Sequence, residues 1–218
     1  MTKPDETPEA RHNRLLVRLS ILQLIPTVVG IFIATLALYA ALNESDAVRK
    51  QQQASVWPHI QIDRTNITTD MNTGLIIGVS NRGIGPARIR GVNVTLDGEA
   101  LQSWNQVFEQ ILPDASGYFP RTDSFISTTV LVPGSNVVTI DLNTEIYTTY
   151  DLDSMDGIAT REETENLILG LREAFAEDRL EMELCYCSVF DDCWHVSSIE
   201  RDPTPVRNCA VYSNENSF

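Results

Sequence analysis

Lysine is almost missing from this 218-residue chain, with only Lys3 and Lys50 present. Lysine and arginine together number 16 against 30 aspartates and glutamates, a formal net charge of −14. A nucleic-acid binder needs a basic face to displace counterions, so no nucleic-acid partner is expected. The same balance argues against a domain lying flat on an anionic lipid surface. Histidine is scarce too: His12, His59 and His195 are the full set. No Gly-x-Ser-x-Gly motif or isolated activated cysteine accompanies them, so the familiar nucleophile–base pairs are missing and no enzyme is expected. Repeats and low-complexity runs are absent. So is charge, over one long stretch from Leu19 to Asn43.

That uncharged stretch is the strongest signal in the chain. Residues 19–42 would span about 36 Å as a helix, enough for a ~30 Å hydrocarbon layer with some tilt. Pro26 falls in its first two turns and is expected at most to kink it. Tyr39 falls near the far interface, where aromatic rings settle. A signal peptide is the competing reading, but its apolar region runs ~7–15 residues and ends in a small-residue cleavage site. Here the run is longer, and Leu38-Tyr39-Ala40 is a poor site. A retained anchor with the bilayer as partner is expected. Lys3, Arg11, Arg14 and Arg18 precede the helix and Arg49 and Lys50 follow it, which predicts an inside N-terminus. The boundaries expected are a tail at 1–18, a membrane helix at 19–42, a helical stalk at 43–55 and a folded domain at 56–218.

Trp57-Pro58 ends the stalk, because the residue before proline avoids helical backbone. Trp57 is read as domain core. Period-two alternation follows at 59–63, 75–80 and 87–96, with Asn72-Thr73-Gly74 and Asp97-Gly98 as turns. The alternation changes phase at Gly91, as a β-bulge would make it. Apolar residues from Leu101 to Leu112 recur at helical spacing. Two strands are read within 125–142, broken by Pro133-Gly134. Thr160 and Glu163 form a capping box before a stripe of Leu167, Ile168, Leu171, Ala174 and Phe175. A hairpin is read at 180–188 and 193–198. Many short strands with one or two inserted helices predict a mainly β fold, an immunoglobulin-like β-sandwich.

Asn81, Gly83, Gly85 and Pro86 form a structural turn. The two glycines fail the context of a phosphate loop, having no third glycine and no following helix, and are read as supplying positive φ. Asp151-Leu-Asp153-Ser-Met-Asp156-Gly157 has the look of a calcium loop, with Glu162 at the twelfth place. Met155 and Asp156 break the pattern, so a solvated acidic loop is expected and no cofactor.

Cys185, Cys187, Cys193 and Cys209 all lie behind the apolar segment, as expected of a domain in an oxidising compartment. If Cys187 faces Cys193 across the hairpin, Cys185 faces His195, and the side chains share one face. Three thiolates and an imidazole (Cys185, Cys187, Cys193 and His195) could hold zinc or copper, which is the alternative reading. Disulfides are preferred. Cys185–Cys187 is disfavoured because side chains two apart on a strand lie ~6–7 Å apart. Of the two remaining pairings, Cys187–Cys193 with Cys185–Cys209 suits a hairpin best.

The Asn81-Arg-Gly83-Ile-Gly85-Pro86-Ala87 turn and Leu131-Val-Pro133-Gly134-Ser135 resemble immunoglobulin-like adhesion or accessory domains of bacterial surface proteins. With the anchor, Trp57-Pro58 and the Tyr186-Cys187-Ser188…Cys193-Trp194 hairpin, the layout resembles uncharacterised bacterial single-pass membrane proteins with an extracytoplasmic immunoglobulin-like domain. The resemblance implies a bacterial inner membrane, a cytoplasmic N-terminus and a periplasmic domain. It implies no activity. An interaction or sensing module with a protein partner in the envelope is expected, with metal binding and an envelope enzyme as the alternatives.

Overall fold

A computed structural model describes residues 8–115, 117–210, 212 and 218. The chain divides into two compact units, Met1–Gln52 and Gln53–Phe218. The first is helical: α1 runs Pro8–Ser55, 48 residues with Pro26 inside it. It is the one helix, among the described residues, long and apolar enough to cross a membrane. Every described side chain from Leu16 to Leu42 is exposed. The hydroxyls of Thr27 and Thr35 donate to the carbonyls of Gln23 and Ile31, at 2.9 and 2.8 Å. Polar side chains in an apolar helix are thereby satisfied by their own backbone.

The second unit is mixed α/β with antiparallel sheets. Its order is β1 (Ile60–Thr68), β2 (Thr73–Asn81), β3 (Ala87–Leu96), β4 (Glu99–Leu101), α2 (Trp104–Ile111), β5 (Thr122–Asp123), β6 (Val130–Leu131) and β7 (Asn136–Asn143). Then come α3 (Glu145–Tyr150), α4 (Arg161–Ala176), β8 (Leu180–Cys187), β9 (Cys193–Ser197) and β10 (Thr204–Val206). One sheet is ordered β1-β2-β7-β5; the other is β10-β9-β8-β3-β4, with β6 beside β3. Both contribute to one apolar core: Ile60, Leu75, Ile77, Ile140 and Leu142 from the first, and Ile89, Val92, Val94, Met182 and Leu184 from the second. Trp104 and Phe108 from α2 and Leu167, Ile168 and Leu171 from α4 complete it.

Local chemistry explains several element ends. Ser103 caps α2, accepting from the Gln106 amide. Thr160 and Glu163 form the reciprocal box at the start of α4. Asp97 and Gly98 both have positive φ, 53° and 81°, the two-residue turn that matches the twist of a hairpin. Arg179 grips the Asp97 carboxylate through Nε and Nη2, at 2.7 and 2.9 Å. That hydrogen-bonded guanidinium holds the exposed carboxyl below its ordinary range.

Several expectations need correction. Trp57 is not core: it is 46 % exposed, and it is Pro58 that is buried. The turn at the end of β1 lies at Thr69–Asn72, with the Thr69 amide donating to the Asn72 carbonyl at 2.9 Å; Thr73 and Gly74 are already strand. Asn72 has a second task, its Oδ1 accepting from the amides of Thr144 and Glu145 at the start of α3. That six-residue helix had no periodic signal, because one turn and a half is too short to show a period. Leu101 belongs to β4 rather than to the helix after it. Two strands do lie on either side of Pro133-Gly134, β6 and β7, but the first is only two residues long and Phe125 is exposed outside it.

Candidate functional site

The turn after β2 is a latch on the segment that leaves α1. Asn81 is buried, and its side chain makes four hydrogen bonds with it and its surroundings. Its Nδ2 donates to the carbonyls of Gly85 and Leu131, at 2.8 and 2.9 Å. Its Oδ1 accepts from the amides of His59 and Gly83, at 3.3 and 3.0 Å. The amides of Ile84 and Gly85 donate to the Trp57 carbonyl, and that of Arg82 to His59. Gly83 and Gly85 do not have positive φ, contrary to expectation; the glycines that do are Gly98, Gly117, Gly134 and Gly157. They are needed for close approach instead. A methyl group at Gly85 would overlap the Val56 carbonyl, and one at Gly83 the backbone of Trp57 and His59. Pro86 then leads into β3. The role of this group is to hold backbone against backbone, and it gathers no chemistry.

The cysteines lie on the outer face of the second sheet. In the β8–β9 hairpin Cys187 stands opposite Cys193, Tyr186 opposite Trp194 and Cys185 opposite His195. Alternation turns Tyr186 inward, where it is fully buried. Its hydroxyl accepts from the Ile60 amide at 3.4 Å, and its ring stacks on Trp194 at 5.7 Å. Burial pushes the Tyr186 phenol up to about 12, although the Ile60 amide pulls the other way. The opposite face carries two disulfides, Cys185–Cys209 and Cys187–Cys193. They are neighbours: Cys187 Sγ lies 3.8 Å from Cys209 Sγ. In this state no thiolate is offered to a metal. His195 is engaged elsewhere, its Nε2 3.1 Å from Glu183 Oε1 and its ring stacked on Tyr212 at 5.5 Å.

The segment after β9 is strapped over this face. β10 pairs with β9, Cys209 reaches back to Cys185, and Tyr212 lies over Gly91, where any side chain would overlap it. Burial, then Glu183 and Glu181, raise the Tyr212 phenol. The register of β3 against β8 shifts between Ile89 and Gly91, so Arg90 is the extra residue of a bulge, a device that re-aims a side chain. Arg90 lines a cavity of about 370 Å³ with Cys187, Asp191, Cys193, Arg207 and Cys209. Asp191 already has a partner in Arg88, which also donates to the Ser188 carbonyl at 3.0 Å. Sequence reasoning found the cysteines but not Arg90, Arg207 or Tyr212. The phase switch at Gly91 marked the bulge without saying what it would face.

The acidic loop gathers nothing comparable. Asp151 ends α3 in left-handed backbone, and Asp153 Oδ1 accepts from the Arg161 amide at 2.7 Å at the start of α4. Among the described residues, the group of three or more potential metal ligands within reach of one another is Cys187, Cys193 and Cys209. A second cleft, about 320 Å³, lies beside β1 and is lined by Asp63, Arg64, Asn66, Phe175, Ser198 and Arg201 among others. Arg64 sits over the Phe175 ring at 5.2 Å. No protein-family model, curated protein or solved structure matches this chain.

Proposed function

We propose that this chain is a single-pass membrane protein displaying an interaction or sensing domain outside the cytoplasm. The observation that carries the reading is the pairing of a helix whose described apolar stretch is exposed with a disulfide-bonded domain behind it. An apolar helix face with no covering needs another apolar phase, and a bilayer supplies one. Two disulfides belong to an oxidising compartment. The basic residues before the helix set the N-terminus inside. The two antiparallel sheets sharing one core are compatible with an immunoglobulin-like β-sandwich, and a bacterial envelope with the domain in the periplasm is the setting of this reading.

The interaction role is supported by β1. It ends its sheet, and among the described residues no strand pairs with its second edge. An open edge beside a polar cleft is a place where an extended partner segment can add main-chain hydrogen bonds. The partner expected is an envelope protein. A reporter active only outside the cytoplasm, fused after Phe218, tests the topology. Activity is expected; activity solely from a cytoplasm-restricted reporter would overturn the reading. A photo-crosslinker at exposed Thr65 on β1, used in native membranes, is expected to give one discrete adduct that the same probe at Thr95 does not.

A further inference from the structure

We infer that the paired disulfides form a thiol–disulfide exchange site for an anionic thiol. The inference deepens the sensing reading above and rests on it only for its setting, a compartment where disulfides persist.

Three observations converge on it. The sulfurs of Cys187, Cys193 and Cys209 all lie within 4.8 Å of one another, although they belong to two separate bonds. A structural pair of crosslinks needs no such proximity, whereas exchange requires a thiolate to stand beside the disulfide it attacks. The cavity of about 370 Å³ is lined by these same three cysteines. Its charge is also unlike that of the chain, whose net charge is −14. Asp191 is paired with Arg88, whereas Arg90 and Arg207, which also line the space, form no ion pair among the described residues. Guanidinium groups stabilise a thiolate and attract carboxylates on the molecule that bears it.

The chemistry balances without an oxidant. The incoming thiolate attacks Cys193 Sγ. The Cys187–Cys193 bond breaks, Cys187 leaves as a thiolate, and Cys193 holds a mixed disulfide. Cys187 Sγ then attacks Cys209 Sγ, 3.8 Å away. A Cys187–Cys209 bond forms, Cys185–Cys209 breaks, and Cys185 leaves as a thiolate that takes a proton from water. One thiol enters and one is released, so nothing is oxidised or reduced overall. The anchor of the C-terminal segment moves two residues along β8, about 6–7 Å. Tyr212 sits over Gly91 and His195, so its contacts report the shift. A small signal, one thiol bound, thus repositions a strap across the outer face of the sheet.

The test uses the full-length protein in detergent and reduced glutathione, a thiol with two carboxylates, followed by alkylation with iodoacetamide and non-reducing peptide mapping. A Cys187–Cys209 crosslink, glutathione on Cys193 and an alkylated Cys185 are expected together. A Cys185–Cys209 bond that survives in every molecule whose Cys187–Cys193 bond has opened overturns the proposal, as does a failure of either bond to react. Cys193→Ser bypasses the first step by leaving Cys187 free. Alkylation at both Cys185 and Cys187 is expected there, and alkylation at Cys187 alone overturns the internal step. With Arg90→Gln and Arg207→Gln combined, both thiols lose the stabilisation of their thiolates, and reaction with glutathione should slow about three- to fivefold more than reaction with 2-mercaptoethanol, which bears no carboxylate. An equal change for both thiols overturns the preference for an anion. An intact Cys185–Cys209 bond in these assays leaves the membrane reading standing, and a failed topology reporter leaves the exchange chemistry standing.

Discussion

The domain secures its two ends by different means. At its start, the Trp57–Ile60 segment lies against the turn after β2. It is held by hydrogen bonds to Asn81 and to the backbone of residues 82–85, with glycines that permit contact. At its end, the segment after β9 is held by a three-residue strand, a disulfide and the buried Phe218. The difference follows from what each segment brings. The first runs on into β1, a nine-residue strand paired along its whole length with β2, so its ordering entropy is shared with a ladder. The second has little apolar content, and ordering costs roughly 1–2 kcal/mol of backbone entropy per residue. A covalent bond restrains the unfolded chain instead.

Breaking the first end should have the largest effect. Gly85→Ala would place a methyl group within the Val56 carbonyl, and the strands cannot yield without losing the bonds to Asn81. A loss of about 3 kcal/mol or more is expected, read as the shift in chemical denaturation midpoint of the full chain in detergent. A midpoint close to the native one would show that contact at this end is loose. At the other end, Cys209→Ser opens a crosslink of sequence separation 24, and the loop-entropy relation gives about 3 kcal/mol before any native-state adjustment. Replacing both Cys187 and Cys193, with a separation of only 6, should cost about 2 kcal/mol by the same relation. The reverse order would mean that the strap is held chiefly by Phe218.

Alkaline titration probes the place where the two ends meet. Tyr186 lies on β8 beside the cysteines, yet its hydroxyl accepts from Ile60, the first residue of β1. Its folded pKa is raised to about 12, above the unfolded value near 10. The unfolded chain therefore gives up its proton first. The stabilisation is complete below pH ~10 and is lost as the pH rises toward ~12, by at most ~3 kcal/mol. Tyr147, buried at 4 % exposure, shifts in the same direction for the same reason. Tyr186→Phe should flatten the slope of stability between pH ~10 and ~12, and an unchanged slope would assign it to other tyrosines. The smallest effect expected is at Trp57. It is half-exposed and meets His59 at 5.4 Å, so Trp57→Ala should cost below ~1 kcal/mol.

Legibility followed the range of the interactions. The α4 capping box, the Asp97-Gly98 turn and the bulge before Gly91 each depend on residues close in sequence, and each could be read there. Trp57 could not. A tryptophan beside proline at a domain boundary has the composition of core, but its burial depends on what packs over it, and Pro58 took the inward position. Gly83 and Gly85 were visible as glycines, yet their reason was not. Positive φ is a local property, whereas collision with Val56 depends on a segment that arrives from elsewhere in the chain. Phe218 was passed over for the same cause, its ring meeting Trp104 edge-on at 5.4 Å across more than a hundred residues of sequence.

What the sequence by itself determined is the apolar helix and the inventory of the domain: its acidic surface, its alternating strands and its four cysteines. An apolar helix of this length can be read without knowing its tertiary partners, because length and composition are local properties of the sequence. What only the tertiary structure decided is which groups share a space. The bulge at Arg90 leaves this residue lining one cavity with Cys187, on a strand it meets about a hundred residues later, and the fold of the C-terminal strap carried Arg207 and Cys209 to the same cavity. Such juxtapositions depend on strand order and register, and these are set by the packing of the whole core rather than by any one segment.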